Sequence, residues 1–315
     1  MINTNNTYDT WLSSKSIVVC IPCLNEATTI GQVIQDYQRI FPRIQVRVYD
    51  NNSSDTTVEA AKQAGAQVRL VSRLGKGNVI QRVFEDSNED LLILIDGDAT
   101  YPVKATADLL NAQWTSPRSM VVGSRKPDPA GKAFRRLHNF GNWLISGLAS
   151  LSFGHSLKDV LSGYRVLPRS LYKSLALNSQ HFDIETEITL QVLAMKAPII
   201  EIETPYYARP TGSESKLNTW HDGFLILKTI ALLVRYYRPF FFFTCLSVIF
   251  LILGLIAGWS PINDYIKHDF VYHVPLALLA ASLVIISAVS LAIGLILDSI
   301  RYYHLLEMKR LNRDI

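Results

Sequence analysis

Short apolar runs alternate with helix-like stretches over the first half of the chain, and each run ends in residues that favour turns. The runs predict strands at residues 16–22, 45–50, 66–71 and 91–95, then at 120–123, with an edge strand at 199–206. Helices are predicted from residue 26 to about 40, up to 64, and at 78–86, 134–153, 182–194 and 217–235. Strands that alternate with helices favour a parallel sheet with helices on both faces. The pattern therefore predicts an α/β fold, Rossmann-like, with a mostly parallel sheet.

The C-terminal part of the chain is much more apolar than the rest. Of the 315 residues 49% are hydrophobic, but residues 240–259 and 274–297 contain no charged side chain at all. Each stretch is long enough for a helix to cross a hydrocarbon core about 30 Å thick. We therefore expect a soluble domain over residues 1–238 and a membrane domain over residues 239–315 with two transmembrane helices.

Basic residues predict how these two spans are oriented. Basic side chains lie before the first span and after the second, at Arg235, Arg238, Arg301, Lys309, Arg310 and Arg313, whereas the connecting loop has Lys267 against two aspartates. By the positive-inside rule, both termini and the soluble domain face the cytoplasm. Residues 1–16 are polar and lack the apolar core of a signal peptide.

The net charge of +4 is small and partly juxtamembrane. It favours anionic lipid surfaces and gives no reason to expect nucleic-acid binding. The predicted helices at residues 134–153 and 217–235 are amphipathic, and the first mixes aromatic with basic side chains, which fits a membrane surface. The alternative is an ordinary helix that packs its apolar face on the core.

Two carboxylates follow the predicted strand at residues 91–95, at Asp96 and Asp98, with Gly97 between them. Ligands of open α/β sheets bind at the carboxyl ends of the strands. Carboxylate oxygens in such a pair suit a hard divalent cation that also binds the phosphates of a substrate. The sequence thus predicts a metal–diphosphate site, although Asp-Gly is also a common turn signal.

The cysteines do not indicate a redox or zinc site. Cys20 and Cys23 form a CxxC motif, but no second pair and no nearby histidine accompanies it. The motif lies where a strand enters a loop, so we expect both thiols to be packing residues. Cys245 lies within the first predicted span.

Several short motifs occur in the order found in a known enzyme family. They are Ile21-Pro22-Cys23-Leu24-Asn25-Glu26, the polar run from Asp50 to Asp55, Gly75-Lys76-Gly77 and Asp96-Gly97-Asp98. In this order they resemble the inverting glycosyltransferases of family 2, which have the GT-A fold. Four later motifs resemble the polyprenyl-phosphate hexosyltransferase branch, which includes dolichyl-phosphate mannose synthases and GtrB-like bacterial enzymes. These motifs are Gly123-Ser124-Arg125, Ser162-Gly163-Tyr164-Arg165, Phe182-Asp183-Ile184-Glu185 and the basic segment from Arg209 to Lys216.

The resemblance implies a donor site for a nucleotide-diphosphate sugar, with UDP favoured. The residues it assigns to the donor are Pro22, Asn25, Glu26, Asp50, Lys76, Asp96, Gly97, Asp98, Glu185, Arg209 and Lys216. Mg²⁺ or Mn²⁺ would bind Asp96 and Asp98 and bridge the diphosphate. Asp50 would contact the nucleotide base, and its alternative role is a helix N-cap. Gly-Lys-Gly by itself is a weak phosphate-binding signal.

The resemblance also implies a lipid phosphate as the acceptor. It assigns the acceptor phosphate to Arg125, Arg135, Arg136 and Asn139, and catalysis to Asp98, Arg125, Asp159 and Arg209. A phosphomonoester is mostly dianionic at neutral pH and needs no general base, so the enzyme must supply cations that bring two anions together. Solvated surface arginines are the alternative for each of these arginines. Asp159, Asp183 and Glu185 would face the sugar or orient the arginines, unless they are cap or surface carboxylates.

The resemblance further implies a multi-pass protein of the bacterial inner membrane with its catalytic domain in the cytoplasm. Related enzymes form tetramers through their membrane helices, which leaves a homotetramer open for this chain. Three residues depart from the family pattern, since Asn51, Thr100 and Asn139 replace the usual Asp, Gln and Ser. Thr100 puts one metal contact in question, and together the departures argue against dolichyl-phosphate mannose synthesis itself.

Two other functions remain open on the sequence alone. One is a glycosyltransferase that acts on a sugar hydroxyl, although the Gln-x-x-Arg-Trp motif of processive synthases is absent from this sequence. The other is a non-catalytic membrane scaffold or nucleotide-sugar sensor.

Overall fold

A seven-stranded sheet forms the frame of the N-terminal part of the molecule. The computed structural model describes residues 4–127, 146–210 and 219–311. Its strands are β1 Ile17–Cys23, β2 Gln45–Asp50, β3 Gln67–Leu70, β4 Leu91–Leu94, β5 Met120–Pro127, β6 Arg165–Pro168 and β7 Ile199–Tyr206. They lie in the order β3-β2-β1-β4-β6-β5-β7, so β7 is an edge strand, as predicted.

Helices separate most of these strands along the chain. They are α1 Thr4–Ser14, α2 Ile30–Ile40, α3 Thr57–Gln63, α4 Lys76–Asp86, α5 Thr106–Thr115, α6 at residues 146–153, α7 Arg169–Tyr172, α8 Ile184–Ala194, α9 Thr219–Tyr237, α10 Pro239–His268 and α11 Val274–Leu311. The chain forms two units, Met1–Ile230 and Ala231–Ile315.

The sheet is buried on both faces, which explains the continuous apolar runs of β1 and β4. Successive side chains of a strand point to opposite faces. Ile17, Val19 and Ile21 belong to a cluster with α2, α3 and α5, whereas Val18 and Cys20 belong to a cluster with α4, α7 and α8. Strands buried on both faces are typical of parallel sheets covered by helices. The predicted three-layer α/β fold is confirmed.

One strand breaks the parallel pattern. β6 pairs antiparallel with both β4 and β5, while β1, β2, β3 and β4 are mutually parallel where they pair, and β5 is parallel to β7. Because β6 runs in reverse, its amino end lies at the edge where β4 ends. This strand was not predicted from the sequence pattern.

Several boundaries differ from the prediction for local reasons. α2 begins at Ile30 and not at Glu26, because the N–H of Glu26 donates to Oγ1 of Thr57 and residues 26–29 form a turn. β5 continues to Pro127, so Arg125 lies within the strand. α1 and α5 were not predicted, although Trp11 of α1 and Leu109 of α5 pack in the core.

The second unit consists mainly of two long apolar helices. α10 and the part of α11 from Val274 to Tyr303 have 30 residues each, and each contains an 18-residue stretch with a mean hydropathy of 2.7 and 2.6, respectively. At 1.5 Å per residue such a helix is about 45 Å long, which exceeds the hydrocarbon core of a bilayer. The helices pack through small residues, since a Cβ on Gly294 would lie 2.8 Å from Phe243, and Ser247 and Ser287 hydrogen bond at 2.9 Å. The prediction of two helices long enough to span a membrane is confirmed.

Candidate functional site

The predicted site residues lie after strands that end at the same edge of the sheet. Cys23 at the end of β1 pairs with Asp50 at the end of β2, and Cys20 pairs with Leu94 at the end of β4. Since these strands are parallel, the turns that follow them share the carboxyl edge. β5 and β7 also end there, and the reversed β6 begins there. The topology therefore brings together chain segments that are far apart in sequence.

Asp98 is the most enclosed carboxylate of the predicted metal pair, with a relative exposure of 2%. Its Oδ2 accepts from Nη2 of Arg209 at 2.7 Å. Its Oδ1 accepts from Oγ1 and from the N–H of Thr100, at 2.6 and 3.1 Å. Burial raises the pKa of Asp98, and the nearby charge of Asp96 raises it further. Thr100 thus positions the carboxylate.

Asp96 belongs to an ion-pair network with Lys76 and Glu185. Nζ of Lys76 lies 2.6 Å from Oδ1 of Asp96 and 2.6 Å from Oε1 of Glu185. Burial opposes ionisation of Asp96, but the charge of Lys76 brings its pKa below the ordinary value. The two carboxylates likewise raise the pKa of Lys76 against the effect of its burial. Lys76 therefore stays charged and holds two carboxylates in place.

Glycines let other segments approach this network closely. A Cβ on Gly163 would lie 2.5 Å from Oδ2 of Asp96. A Cβ on Gly75 or Gly77 would clash with the backbone at Gln180 or Ser179, and the N–H of Gly77 donates to the carbonyl of Gln180 at 3.0 Å. The glycines of Gly-Lys-Gly thus allow this close packing of the chain.

Arg165 is a buried cation for which no role was predicted from the sequence, although it belongs to the motif Ser162-Gly163-Tyr164-Arg165. Its exposure is 0%, and it donates to the carbonyls of Ser162 and Val160 at 2.8 Å each. Burial lowers its pKa, and the charge of Glu185 opposes that effect. It lines a cleft of about 240 Å³ with Pro22, Lys76, Ile80, Leu94, Asp96, Gly163, Ile184, Glu185 and Ile188. The signal that could have revealed Arg165 is a charge at the start of a short apolar run.

Arg125 and Asp159 form a paired unit at the end of β5. Nε and Nη2 of Arg125 each lie 2.7 Å from an oxygen of Asp159, and the backbone N–H of Arg125 donates to the same carboxylate. The guanidinium also lies over the ring of Tyr206, 5.6 Å from its centroid. Burial opposes ionisation of Asp159, but Arg125 brings its pKa below the ordinary value. Bidentate pairing places the arginine in one orientation.

Asp50 and Asn51 have different roles. Oδ2 of Asp50 accepts from the N–H of Ser53, and its buried Oδ1 has no hydrogen-bond partner among the described residues. Asp50 is therefore no helix cap, since α3 begins at Thr57, whose N–H donates to Asp55. Nδ2 of Asn51 donates to the carbonyls of Val71 and Arg73, and an Asp at this position would leave both carbonyls without that donor.

We expect Asn51→Asp to lower the free energy of unfolding by about 1–3 kcal/mol, because two carbonyls lose their donor. A second negative charge beside Asp50 adds repulsion. The measurement is thermal unfolding, with Asn52→Asp as the matched control, because Asn52 donates to a single carbonyl from an exposed position. Equal shifts in the two variants would contradict the assignment.

The remaining predicted donor residues lie around the same edge. Oδ1 of Asn25 accepts from the N–H of Ser54 at 2.7 Å, which joins the turns after β1 and β2. Glu26 and Gly97 are neighbours, since a Cβ on Gly97 would clash with the Glu26 carboxylate. Four predicted site residues, Arg135, Arg136, Asn139 and Lys216, lie outside the described residues.

Asp183 lies at the start of α8, two residues before Glu185. Its Oδ2 accepts from Oγ1 of Thr229 on α9 at 2.8 Å, and it makes no side-chain cap bond to α8. Its buried Oδ1 has no hydrogen-bond partner among the residues the structure describes. The interpretation of Asp183 as a plain helix cap is therefore wrong.

The carboxylate pair has the chemistry that Mg²⁺ or Mn²⁺ requires. Within the described part of the chain, no group of three or more His, Cys, Asp and Glu side chains is arranged to hold a metal. Asp96 and Asp98 nevertheless both follow β4 at the carboxyl edge of the sheet, with one residue between them. Two hard oxygen donors leave positions for water and for phosphate oxygens, as in magnesium sites that share the ion with a substrate. The residues present therefore fit a cation that binds together with a diphosphate.

The chain is similar in sequence to known glycosyltransferases. It is 31% identical over 296 residues to glycosyltransferase AglJ of Haloferax volcanii. The aligned region covers 93% of this chain and 97% of that protein. It is also 26% identical over 217 residues to a dolichyl-phosphate hexose transferase of the same organism, across 68% of this chain and 92% of the relative.

Solved structures confirm the GT-A fold. Glucosyl-3-phosphoglycerate synthase of Mycobacterium tuberculosis, crystallised with Mn²⁺, UDP and its product, superposes with a TM-score of 0.59. Its sequence is 20% identical, over 73% of this chain and 83% of that one. The model of the family described as "Glycosyl transferase family 2" matches residues 18–176. With the relatives above, this match shows that the chain belongs to glycosyl transferase family 2.

Proposed function

We propose that this glycosyltransferase moves a hexose from a UDP-sugar to a polyprenyl phosphate, undecaprenyl phosphate in bacteria, and forms a β-linked polyprenyl phosphosugar. The observation that carries the proposal is the meeting of a carboxylate pair with arginines at one sheet edge. Arg209 pairs with Asp98 at 2.7 Å, and Arg125 lies in β5, which ends at the same edge. Such an edge can hold both a metal-bound diphosphate and a second anion.

A phosphate acceptor fits the state of the local carboxylates. Asp159 is paired with Arg125, and Glu185 is paired with Lys76. Burial opposes ionisation of Asp159, but Arg125 holds its pKa below the ordinary value, which makes Asp159 a poor general base. A phosphomonoester needs no base, since its second pKa is near 6.

The proposed reaction is a single displacement. An oxygen of the lipid phosphate attacks the anomeric carbon, the bond from that carbon to the diphosphate oxygen breaks, and the configuration inverts. Arg125 would orient the attacking phosphate, and Arg209 would stabilise the departing diphosphate. A cation on Asp96 and Asp98 would supply Lewis-acid stabilisation of the UDP leaving group. The unpaired Oδ1 of Asp50 would accept from the imide N–H of uracil.

Three kinds of observation support a lipid acceptor. Two helices are long and apolar enough to span a membrane. One relative is named dolichyl-phosphate hexose transferase. The basic residues that flank both helices favour a catalytic domain on the cytoplasmic side, and the membrane we propose is the inner membrane of a bacterium.

The test is a panel of radiolabelled nucleotide sugars with the full-length protein, polyprenyl phosphate and Mg²⁺ or Mn²⁺. We expect a labelled lipid that mild acid hydrolyses, formed best from a UDP-hexose. Polyprenol without its phosphate is the matched control and should give no product.

The principal alternative is transfer to a sugar hydroxyl, which needs a general base. Asp183 is the candidate base, because its Oδ1 has no hydrogen-bond partner within the described ranges. An acid-stable glycan formed without lipid phosphate would establish this alternative and overturn the proposal.

A further inference from the structure

Arg209 occupies a position on Asp98 that a metal ion would need. We infer that Arg209 and the divalent cation compete for Oδ2 of Asp98, so that Arg209 acts as a protein-borne substitute for the cation until the nucleotide arrives. The inference rests on the proposed metal–diphosphate site. The metal then binds weakly alone and strongly together with the diphosphate, and Arg209 is responsible for the difference.

Both carboxylate oxygens of Asp98 already have partners within the protein. Its Oδ1 already accepts two hydrogen bonds from Thr100, and its Oδ2 pairs with Arg209 at 2.7 Å. The carboxylate is 2% exposed, so water screens its surroundings little. A cation on Oδ2 would lie beside the guanidinium, and like charges repel strongly where screening is weak. Metal binding at this oxygen therefore opposes the Arg209 pair.

Thr100 connects Asp98 with the chain segment that carries Arg209. The N–H of Tyr207 donates to the carbonyl of Thr100 at 2.9 Å, and the side chain of Thr100 donates to Asp98. Thr100 thus anchors the chain after β7 two residues before Arg209. The contact is part of the folded core of the site, because Thr100 is fully buried.

The charges of the side chains around the cleft nearly cancel. Three carboxylates and three cations lie around the cleft and its rim, namely Asp96, Asp98, Glu185, Lys76, Arg165 and Arg209, and the carboxylate of Glu26 lies beside Gly97. The site is therefore close to neutral without ligands. A divalent cation alone would leave an excess of buried positive charge, whereas a cation with a diphosphate would not. In the second case Arg209 also has a new anion to pair with.

Competition between Arg209 and the cation predicts that binding of the metal and binding of the nucleotide are strongly coupled. Coupling between two ligands is reciprocal, and each changes the affinity of the other by the same factor. Removal of the Arg209 charge should raise the affinity for the metal alone. It should also weaken the coupling, because the nucleotide no longer has to draw a competitor away.

The experiment measures Mn²⁺ binding to the full-length protein in detergent by electron paramagnetic resonance of free Mn²⁺, with and without UDP. We expect Arg209→Gln to tighten Mn²⁺ binding without UDP by about tenfold, and to reduce the enhancement by UDP by a similar factor. Arg209→Lys keeps the charge and should retain weak binding of Mn²⁺ alone. The matched control is Arg39→Gln, since Arg39 forms only an exposed pair with Asp36 on α2.

Two results would overturn the inference in distinguishable ways. Unchanged or weaker binding of Mn²⁺ alone to Arg209→Gln, with normal Mn²⁺–UDP binding by the wild type, refutes the competition and leaves the proposed function intact. If the wild type does not bind Mn²⁺ even with UDP, the metal–diphosphate site itself is refuted.

Discussion

Asp98→Asn is expected to lower turnover at least about 100-fold while the protein remains folded. A divalent cation contributes several kcal/mol to stabilisation of a leaving group, and each 1.36 kcal/mol corresponds to a factor of ten in rate. Asn keeps the volume of the side chain and an acceptor for Thr100, but it removes the charge that Arg209 and the cation use. The measurement is the rate of lipid-linked sugar formation at saturating Mg²⁺ or Mn²⁺.

A control separates this loss from damage to the fold. Asp36→Asn removes a carboxylate from the exposed pair with Arg39 on α2 and should leave turnover unchanged. Circular dichroism should show the same helix content for both variants. Retained activity in Asp98→Asn would show that the metal site has been assigned to the wrong carboxylate.

Asp159→Asn is expected to destabilise the catalytic unit by about 3–5 kcal/mol, because it leaves the charge of Arg125 buried without its partner. The side chains of Arg125 and Asp159 are 16% and 3% exposed, so water replaces the lost contact poorly. The double variant Arg125→Met with Asp159→Leu should recover most of the stability, since no isolated charge remains. Denaturant unfolding of the two variants tests both statements.

The pair also determines a pH dependence with a definite sign. Burial opposes ionisation of Asp159, but Arg125 holds its folded-state pKa below the ordinary value. The stabilisation is therefore fully present above the unfolded pKa and is lost as the pH falls through the folded pKa. The double variant should lose this acid-side dependence, and an unchanged acid limb would contradict the role of the pair.

Lys158→Gln provides the matched control for the Asp159 variants. Lys158 precedes Asp159 in the chain and pairs with Glu203 at 3.0 Å, but its side chain is 67% exposed. Exposed pairs contribute little to stability. If Lys158→Gln destabilised the protein as much as Asp159→Asn, the effect would come from any change in this segment and not from loss of the buried ion pair.

The sequence by itself determined the layers of the fold and the edge that carries the site. Strands such as β1 and β4 alternate between two buried faces, as Ile17 and Val18 show, so their apolar runs indicated a sheet covered on both sides. Polar residues follow directly where these strands end, at Asn25, Asp50 and Asp96. Because parallel strands end at a common edge, local patterns were enough to place these residues together.

The two apolar helices were equally evident, because their length and lack of charge are local properties. α1 and α5 were missed for the opposite reason. Their sequences mix polar and apolar residues without a clear face, and their stability comes from packing of residues such as Trp11 and Leu109 on the sheet. Such tertiary packing overrides weak local preference.

Only the tertiary structure decided which charges pair. Lys76 joins Asp96 and Glu185, and Arg209 reaches Asp98, across separations that no local pattern encodes. The reversal of β6, a strand of four residues, brings Gly163 against Asp96 and buries Arg165 beside it. The physical reason is that a buried ion pair depends on the distance between segments, and that distance depends on the order and direction of the strands.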